Sequence, residues 1–206
     1  MTQAQRLLAV FVGAKAAHGT TTVGRVGRNG KAESKSMIVR KPLTEELVQA
    51  HIDGKQGIGA IPINEENKCK FGALDIDIYD LNHNEVQAKI QKMKLPLVHC
   101  RSKSGGAHLY LFLKDWEQAA DVRDYLTKMS IALGYSGCEV FPKQDTIIAE
   151  RGDVGNFINT PYFNAELPQR YAFNEKCEAL DLDEFLDLVD KAKVSLSDLE
   201  SMRLSK

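Results

Sequence analysis

The chain has little of what would make it a disulfide scaffold, a zinc module or a membrane protein. Its four cysteines, Cys69, Cys100, Cys138 and Cys177, stand far apart and form no CxxC pair. That spacing argues against a zinc knuckle and for reduced, partly buried thiols. No run approaches the roughly 20 apolar residues that a bilayer-spanning helix needs, and the first residues lack the layout of a secretory signal. A cytoplasmic protein with no membrane partner is expected. An excess of one charge is also missing: 27 Lys and Arg face 28 Asp and Glu, for a net charge of −1. Such a balance excludes a protein that coats nucleic acid over its whole surface.

What is present is ordinary globular material, 206 residues with 43% hydrophobic and 27% charged side chains. This suffices for one large domain or two small, closely packed ones. The charge is unevenly spread. Between positions 15 and 41 stand Lys15, Arg25, Arg28, Lys31, Lys35, Arg40 and Lys41 against the single acid Glu33, while 175–200 is mainly acidic. A local basic patch suits a protein that grips a strand in one groove.

The apolar run 7–12 reads as a short buried strand, followed by a Gly- and Thr-rich hairpin or loop to Gly30, with 36–40 pairing back. Thr44 is placed to cap a helix that Gly54 ends, and 59–63 reads as a strand. From position 71 the pattern becomes regular: strand 71–78, helix 84–94, strands 97–101 and 107–113, helix 117–133, strand 138–141. That order is βαββαβ, the unit of ferredoxin-like and RNA-recognition-like folds, and the fold class expected is α+β. Residues 156–163 read as a further strand and 183–193 as an amphipathic helix. The expected division is an N-terminal α/β subdomain over 1–66, a palm-like catalytic subdomain over 67–170 and a helical segment over 171–206.

In the run Leu74-Asp75-Ile76-Asp77-Ile78, a strand would turn both carboxylates to one face and the aliphatics to the other. Two neighbouring acids repel, and a divalent cation is the usual compensation. The same parity puts His108, Tyr110 and Phe112 on one face of their strand, and Glu139 with Phe141 on theirs. With the first βαββαβ strand between the third and fourth, Asp75, Asp77, His108 and Glu139 converge on one exposed surface. Three carboxylates suit Mg²⁺ or Mn²⁺. The loop Arg101-Ser102-Lys103-Ser104-Gly105-Gly106 offers close backbone approach and positive charge suited to a triphosphate, without the order of a Walker loop.

Asp75-Ile76-Asp77, the 101–108 run and Glu139-Val140-Phe141-Pro142-Lys143-Gln144, in this order, resemble the archaeo-eukaryotic primase superfamily. The similarity is to its primase-polymerase branch, which includes TOTE conflict system primase domains, CRISPR-associated primase-polymerases and plasmid or phage replication primases. Segment 43–63, with His51 and Gly54, and segment 155–162 are similar too. The resemblance implies a primase fold with a recognition-motif-like palm, Asp75 and Asp77 as paired metal ligands and Glu139 as the third acid, with Asp145 its rival. It also implies His108 as a phosphate contact, and Arg101, Lys103, Ser104, Lys143 and Gln144 as candidates to hold nucleotide triphosphate or template. Many relatives carry Ser-x-His where this chain has Gly106-Ala107-His108, so Ser104 is the substitute serine.

The function expected is DNA primase and DNA polymerase activity on a single-stranded DNA template, using NTPs or dNTPs and two Mg²⁺ or Mn²⁺ ions, with a helicase domain or subunit as a further partner. Two other readings stay open. One is a metal-dependent nuclease built on the acids and Lys143. The other is a non-catalytic single-stranded nucleic-acid-binding module that stacks bases on Tyr110 and Phe112.

Overall fold

The computed structural model describes residues 1–26, 28, 32–202 and 204. Of the basic stretch between 15 and 41, Lys31 and the side chain of Arg25 lie outside the described residues. The first element is a helix, α1 (Gln3–Val10), where the sequence pattern pointed to a strand. The reason is local. Thr2 accepts from the Gln5 backbone and Gln5 answers to the Thr2 backbone, a reciprocal cap, and Ala4, Leu7 and Val10 recur at the three-residue spacing of one helical face. A short apolar run cannot by itself distinguish a buried strand from a buried helical turn.

Strands β1 (His18–Val26) and β2 (Ala32–Val39) form the hairpin. Helix α2 (Glu45–Ile52) follows with Thr44 as its cap, then β3 (Gly57–Ala60). His51 ties these pieces together: its Nε2–H donates to the Pro161 carbonyl (2.9 Å) and its Nδ1 accepts from the Ile58 backbone (3.1 Å). The ring is fully buried, and burial pushes its pKa down to about 4.

The second sheet carries the expected βαββαβ order. It consists of β4 (Lys68–Ile76), α3 (His83–Lys92), β5 (Leu97–Arg101), β6 (Ala107–Gln118), α4 (Ala119–Leu133) and β7 (Glu139–Phe141). Its strand order is β5-β6-β4-β7, so β4 lies between β6 and β7. Beyond β7, the run 156–163 contributes only the two-residue strand β8 (Ile158–Asn159), which pairs with β3 and completes a first sheet of order β2-β1-β3-β8. Phe157 lies so close to this sheet that a Cβ at Gly19 or Gly59 would stand 2.2 or 2.3 Å from its ring. Helices α5 (Leu182–Ala192) and α6 (Leu196–Glu200) are the last elements among the described residues, and Arg6 of α1 reaches Asp187 and Asp190 of α5 at 3.0 Å each.

Away from the rung of Asp75 the palm sheet is buried on both faces. Leu74, Ile76, Leu109, Leu111 and Leu113 pack with Val86 and Ile90 of α3 and Val122, Leu126 and Met129 of α4. On the other face Phe71, Ala73, Tyr110, Phe112 and Phe141 meet Phe11, Ile58 and Phe185. Tyr110 and Phe112 are 0% and 1% exposed, with ring centroids 5.2 and 5.8 Å from that of Phe11. They form core contacts, which removes the base-stacking platform expected of a non-catalytic binding module. The four cysteines are free, and among the described residues no helix is long and apolar enough to cross a membrane.

Candidate active site

The register of the palm sheet brings the acids together. Asp75 faces His108 on β6 and Glu139 on β7, so the three side chains occupy one rung across three strands and share one face. His108 Nε2 stands 3.4 Å from Asp75 Oδ1, while its Nδ1 lies 3.3 Å from the Tyr110 hydroxyl. That hydroxyl donates to the Asn159 carbonyl (3.1 Å), which links the rung to the end of β8. Asp77 follows just past β4 and is exposed. Ser104 Oγ reaches its carboxylate at 3.5 Å, from a loop that folds over the strand end.

That loop, 102–106, turns at Gly105 with φ of 93°, in the region glycine favours. At Gly106 an added Cβ would sit 2.2 Å from the Ile76 carbonyl oxygen. A serine two positions before His108 would therefore clash with β4, a physical reason for the glycine here. Asp75, Asp77, Tyr79, Ser102, Lys103, Ser104, His108, Asn159 and Arg170 line one open pocket of about 440 Å³.

Other expected residues are placed outside that pocket's lining. Arg101 faces Ala107 in the register, on the opposite parity from His108, and its guanidinium donates to the carbonyls of Gln169 (2.8 Å) and Ser102 (3.2 Å). Glu139 shares the rung of Asp75, but its carboxylate accepts from Lys143 Nζ at 2.8 Å. Gln144 donates to Asn156. Asp145 is held by Arg123 of α4 at 2.8 Å.

Arg170 is the residue the sequence reading missed. It is 5% exposed, and it lines both the acidic pocket and a neighbouring pocket of about 660 Å³ shared with Lys103, Lys55, Gln56 and Phe163. Its partners are the Thr160 carbonyl (3.3 Å) and the face of the Phe163 ring (5.6 Å from Cζ to centroid), with no carboxylate among the described residues. Burial lowers its pKa, partly offset by Tyr110. A buried guanidinium without an acid is costly unless an anion meets it. The only sequence signal was one arginine beside the apolar run Tyr171-Ala172-Phe173, in a segment where no helical or strand period marks a face.

Residues 19–200 match the family described as TOTE conflict system, Archaeo-Eukaryotic Primase domain. The chain belongs to this primase family. Similar solved structures include the AEP domain of the cyanophage S-2L primase-polymerase, at 14% identity and TM-score 0.48, covering 91% of this chain and 96% of that one. Another is the catalytic domain of primase RepB′ in complex with initiator DNA, at 11% identity and TM-score 0.40, covering 92% of this chain and 91% of that one. No curated protein matches the sequence. Membership carries nucleotidyl transfer in priming as the general chemistry of this primase domain.

The residues present fit a divalent cation of the kind such enzymes use. Among the described residues no three His, Cys, Asp or Glu side chains are gathered into a closed metal cage. The site instead offers Asp75 and Asp77 at the wall of an open pocket. Mg²⁺ is commonly held in that way, by one or two carboxylates with waters and substrate phosphates filling the remaining positions.

Proposed function

We propose that this primase domain performs template-directed nucleotidyl transfer on single-stranded DNA, as primase and polymerase, from NTPs or dNTPs with two Mg²⁺ or Mn²⁺ ions. The observation that carries the reading is the meeting of opposite charges in one pocket, whose lining includes Asp75 and Asp77 together with Lys103 and Arg170, with the His108 imidazole beside them. Carboxylates alone would repel a triphosphate, and cations alone would not hold a metal. Together they suit a metal-bound phosphate chain.

Asp75 and Asp77 would hold the metal, with Glu139 joining when its carboxylate leaves Lys143. The bound ions would lower the pKa of the attacking hydroxyl and offset charge on the phosphates. Lys103, Arg170 and His108 hold the phosphates by charge and hydrogen bonds, and Ser104 orients the Asp77 carboxylate. The second pocket, reached past Lys103 and Arg170, leaves room for nucleotide or template beside the reacting atoms. A helicase in the same polypeptide or as a subunit is the partner that would supply single strands. The nuclease alternative drew on Lys143, which is bonded to Glu139 outside the pocket's lining; Lys103 is the lysine beside the acidic pair, and a metal-dependent cleavage assay separates the two readings.

The test is incorporation of labelled NTPs or dNTPs on unprimed and primed single-stranded DNA with Mg²⁺ or Mn²⁺, read as product length on a gel. Metal-dependent products from the native chain, abolished in the Asp75→Ala, Asp77→Ala double variant, are expected. Synthesis retained by a folded double variant would falsify the assignment.

A further inference from the structure

The loop 102–106 presents Lys103 and Ser104 to the acidic pocket, yet it contains two adjacent glycines and only short-range backbone bonds: Ser102 N–H to Gly106 O (2.9 Å) and Gly105 N–H to Ser102 O (3.1 Å). From outside it, Arg101 donates to the Ser102 carbonyl (3.2 Å) and Asp77 meets Ser104 Oγ (3.5 Å), and one further contact holds the glycine turn itself. His83, the first residue of α3, places Nε2 2.9 Å from the Gly105 carbonyl oxygen. The carbonyl can only accept, so Nε2 carries the proton and Nδ1 is left to accept when the ring is neutral. His99 supplies the donor, with its Nε2 2.9 Å from His83 Nδ1. The other His99 nitrogen lies 3.1 Å from the buried amide of Gln87, which can serve in either sense by a flip.

The pair is clamped as well as hydrogen-bonded. The two imidazoles stack with centroids 5.1 Å apart, and Phe173 covers both at 5.0 and 4.6 Å. His99 is 1% exposed. A row of side chains thus runs from the buried Gln87 and His99 through the half-buried His83 to one carbonyl of the loop that touches the pocket, and neither His83 nor His99 lines that pocket.

The geometry points to His83 as a positioning residue that braces the nucleotide loop through the Gly105 carbonyl, with His99 and Gln87 fixing its ring. Its consequence for catalysis rests on the nucleotide reading of the site; the brace itself does not. Without the brace the glycine-rich loop must be ordered at each binding event, which weakens nucleotide binding more than it slows the bound complex. His83→Phe keeps a ring against Phe173 and removes the donor. It should raise the nucleotide KM about three- to tenfold, the range for one lost hydrogen bond, with kcat held within about twofold. Amide hydrogen exchange should quicken in 102–106 and stay unchanged in β5 and β6. His83→Gln, which returns an N–H near the same place, should recover most of the KM and the slow exchange.

Unchanged exchange and KM in His83→Phe overturn the proposal. So does a loss of kcat and thermal stability with exchange rising through the whole sheet, since that marks a packing role alone. If the native chain makes no product, the function reading fails, while the exchange measurement still decides whether His83 braces the loop.

Discussion

Two residues along β4, one sheet face changes its chemistry. At the rung of Ala73 the neighbours are Tyr110 and Phe141, buried against Phe11 and Phe185; at the rung of Asp75 they are His108, which lines the pocket, and Glu139, which is exposed and paired with Lys143. The strand alternation is the same on both rungs, so burial is decided by what lies above. Phe11 at the end of α1 and Phe185 of α5 pack over the aromatic rungs, and neither helix contributes to the pocket at the upper one. Residues on the lower rungs should therefore affect stability, and residues on the upper rung should affect activity.

The largest expected effect breaks that division from above. Asp75→Asn should cut nucleotide incorporation at least about a hundredfold, the scale of losing one electrostatic partner of a reacting centre, while its thermal melting stays near that of the native chain. A melting loss in step with the activity loss would erase the contrast between the rungs. From below, Phe112→Ala should destabilise by about 3–5 kcal/mol through cavity formation, measured by urea unfolding. A native-like denaturation midpoint would show that the aromatic rungs are not core.

Arg170→Gln comes next, because it sits buried beside the upper rung. Loss of its charge should raise the nucleotide KM about tenfold or more with a smaller change in kcat, read from steady-state kinetics. An unchanged KM would remove Arg170 from the phosphate site.

A change of pH sharpens the comparison from a third side, at histidines away from both rungs. Burial pushes the pKa of His51 down to about 4 and that of His99 to about 3, with the neighbouring His83 adding to the second shift. The fold thus favours the neutral rings, and between these values and about 6.5 the unfolded chain binds more protons. Stability is full above about pH 6.5 and falls as pH drops towards 4, by up to about 1.4 kcal/mol per pH unit for each ring. Melting temperature against pH should be flatter in His51→Gln than in the native chain, once both are normalised at pH 8. Parallel curves would contradict the buried neutral state of His51.

The βαββαβ order was legible because alternating Leu and Ile in β4 and β6 set their faces unambiguously. The parity of Asp75, His108 and Glu139 followed from the same alternation. Helix α1 was not legible, since six apolar residues satisfy a strand and a helical turn equally well and the cap at Thr2 lay outside the run. Nor was the direction of the Glu139 carboxylate, which depends on Lys143 four residues on. Arg170 escaped for a different reason: its neighbours across the pocket, Asp75 and Lys103, are remote in sequence.

The chain's own pattern of apolar and acidic residues determined the succession of strands and helices in the palm, the two faces of its strands and the presence of an acidic pair, because side-chain alternation is a local property of extended backbone. Which part of that face would be core and which part pocket was decided only in three dimensions. Covering a rung takes helices and strands from distant segments, and the cost or benefit of a charge there depends on what those segments bring within a few ångströms.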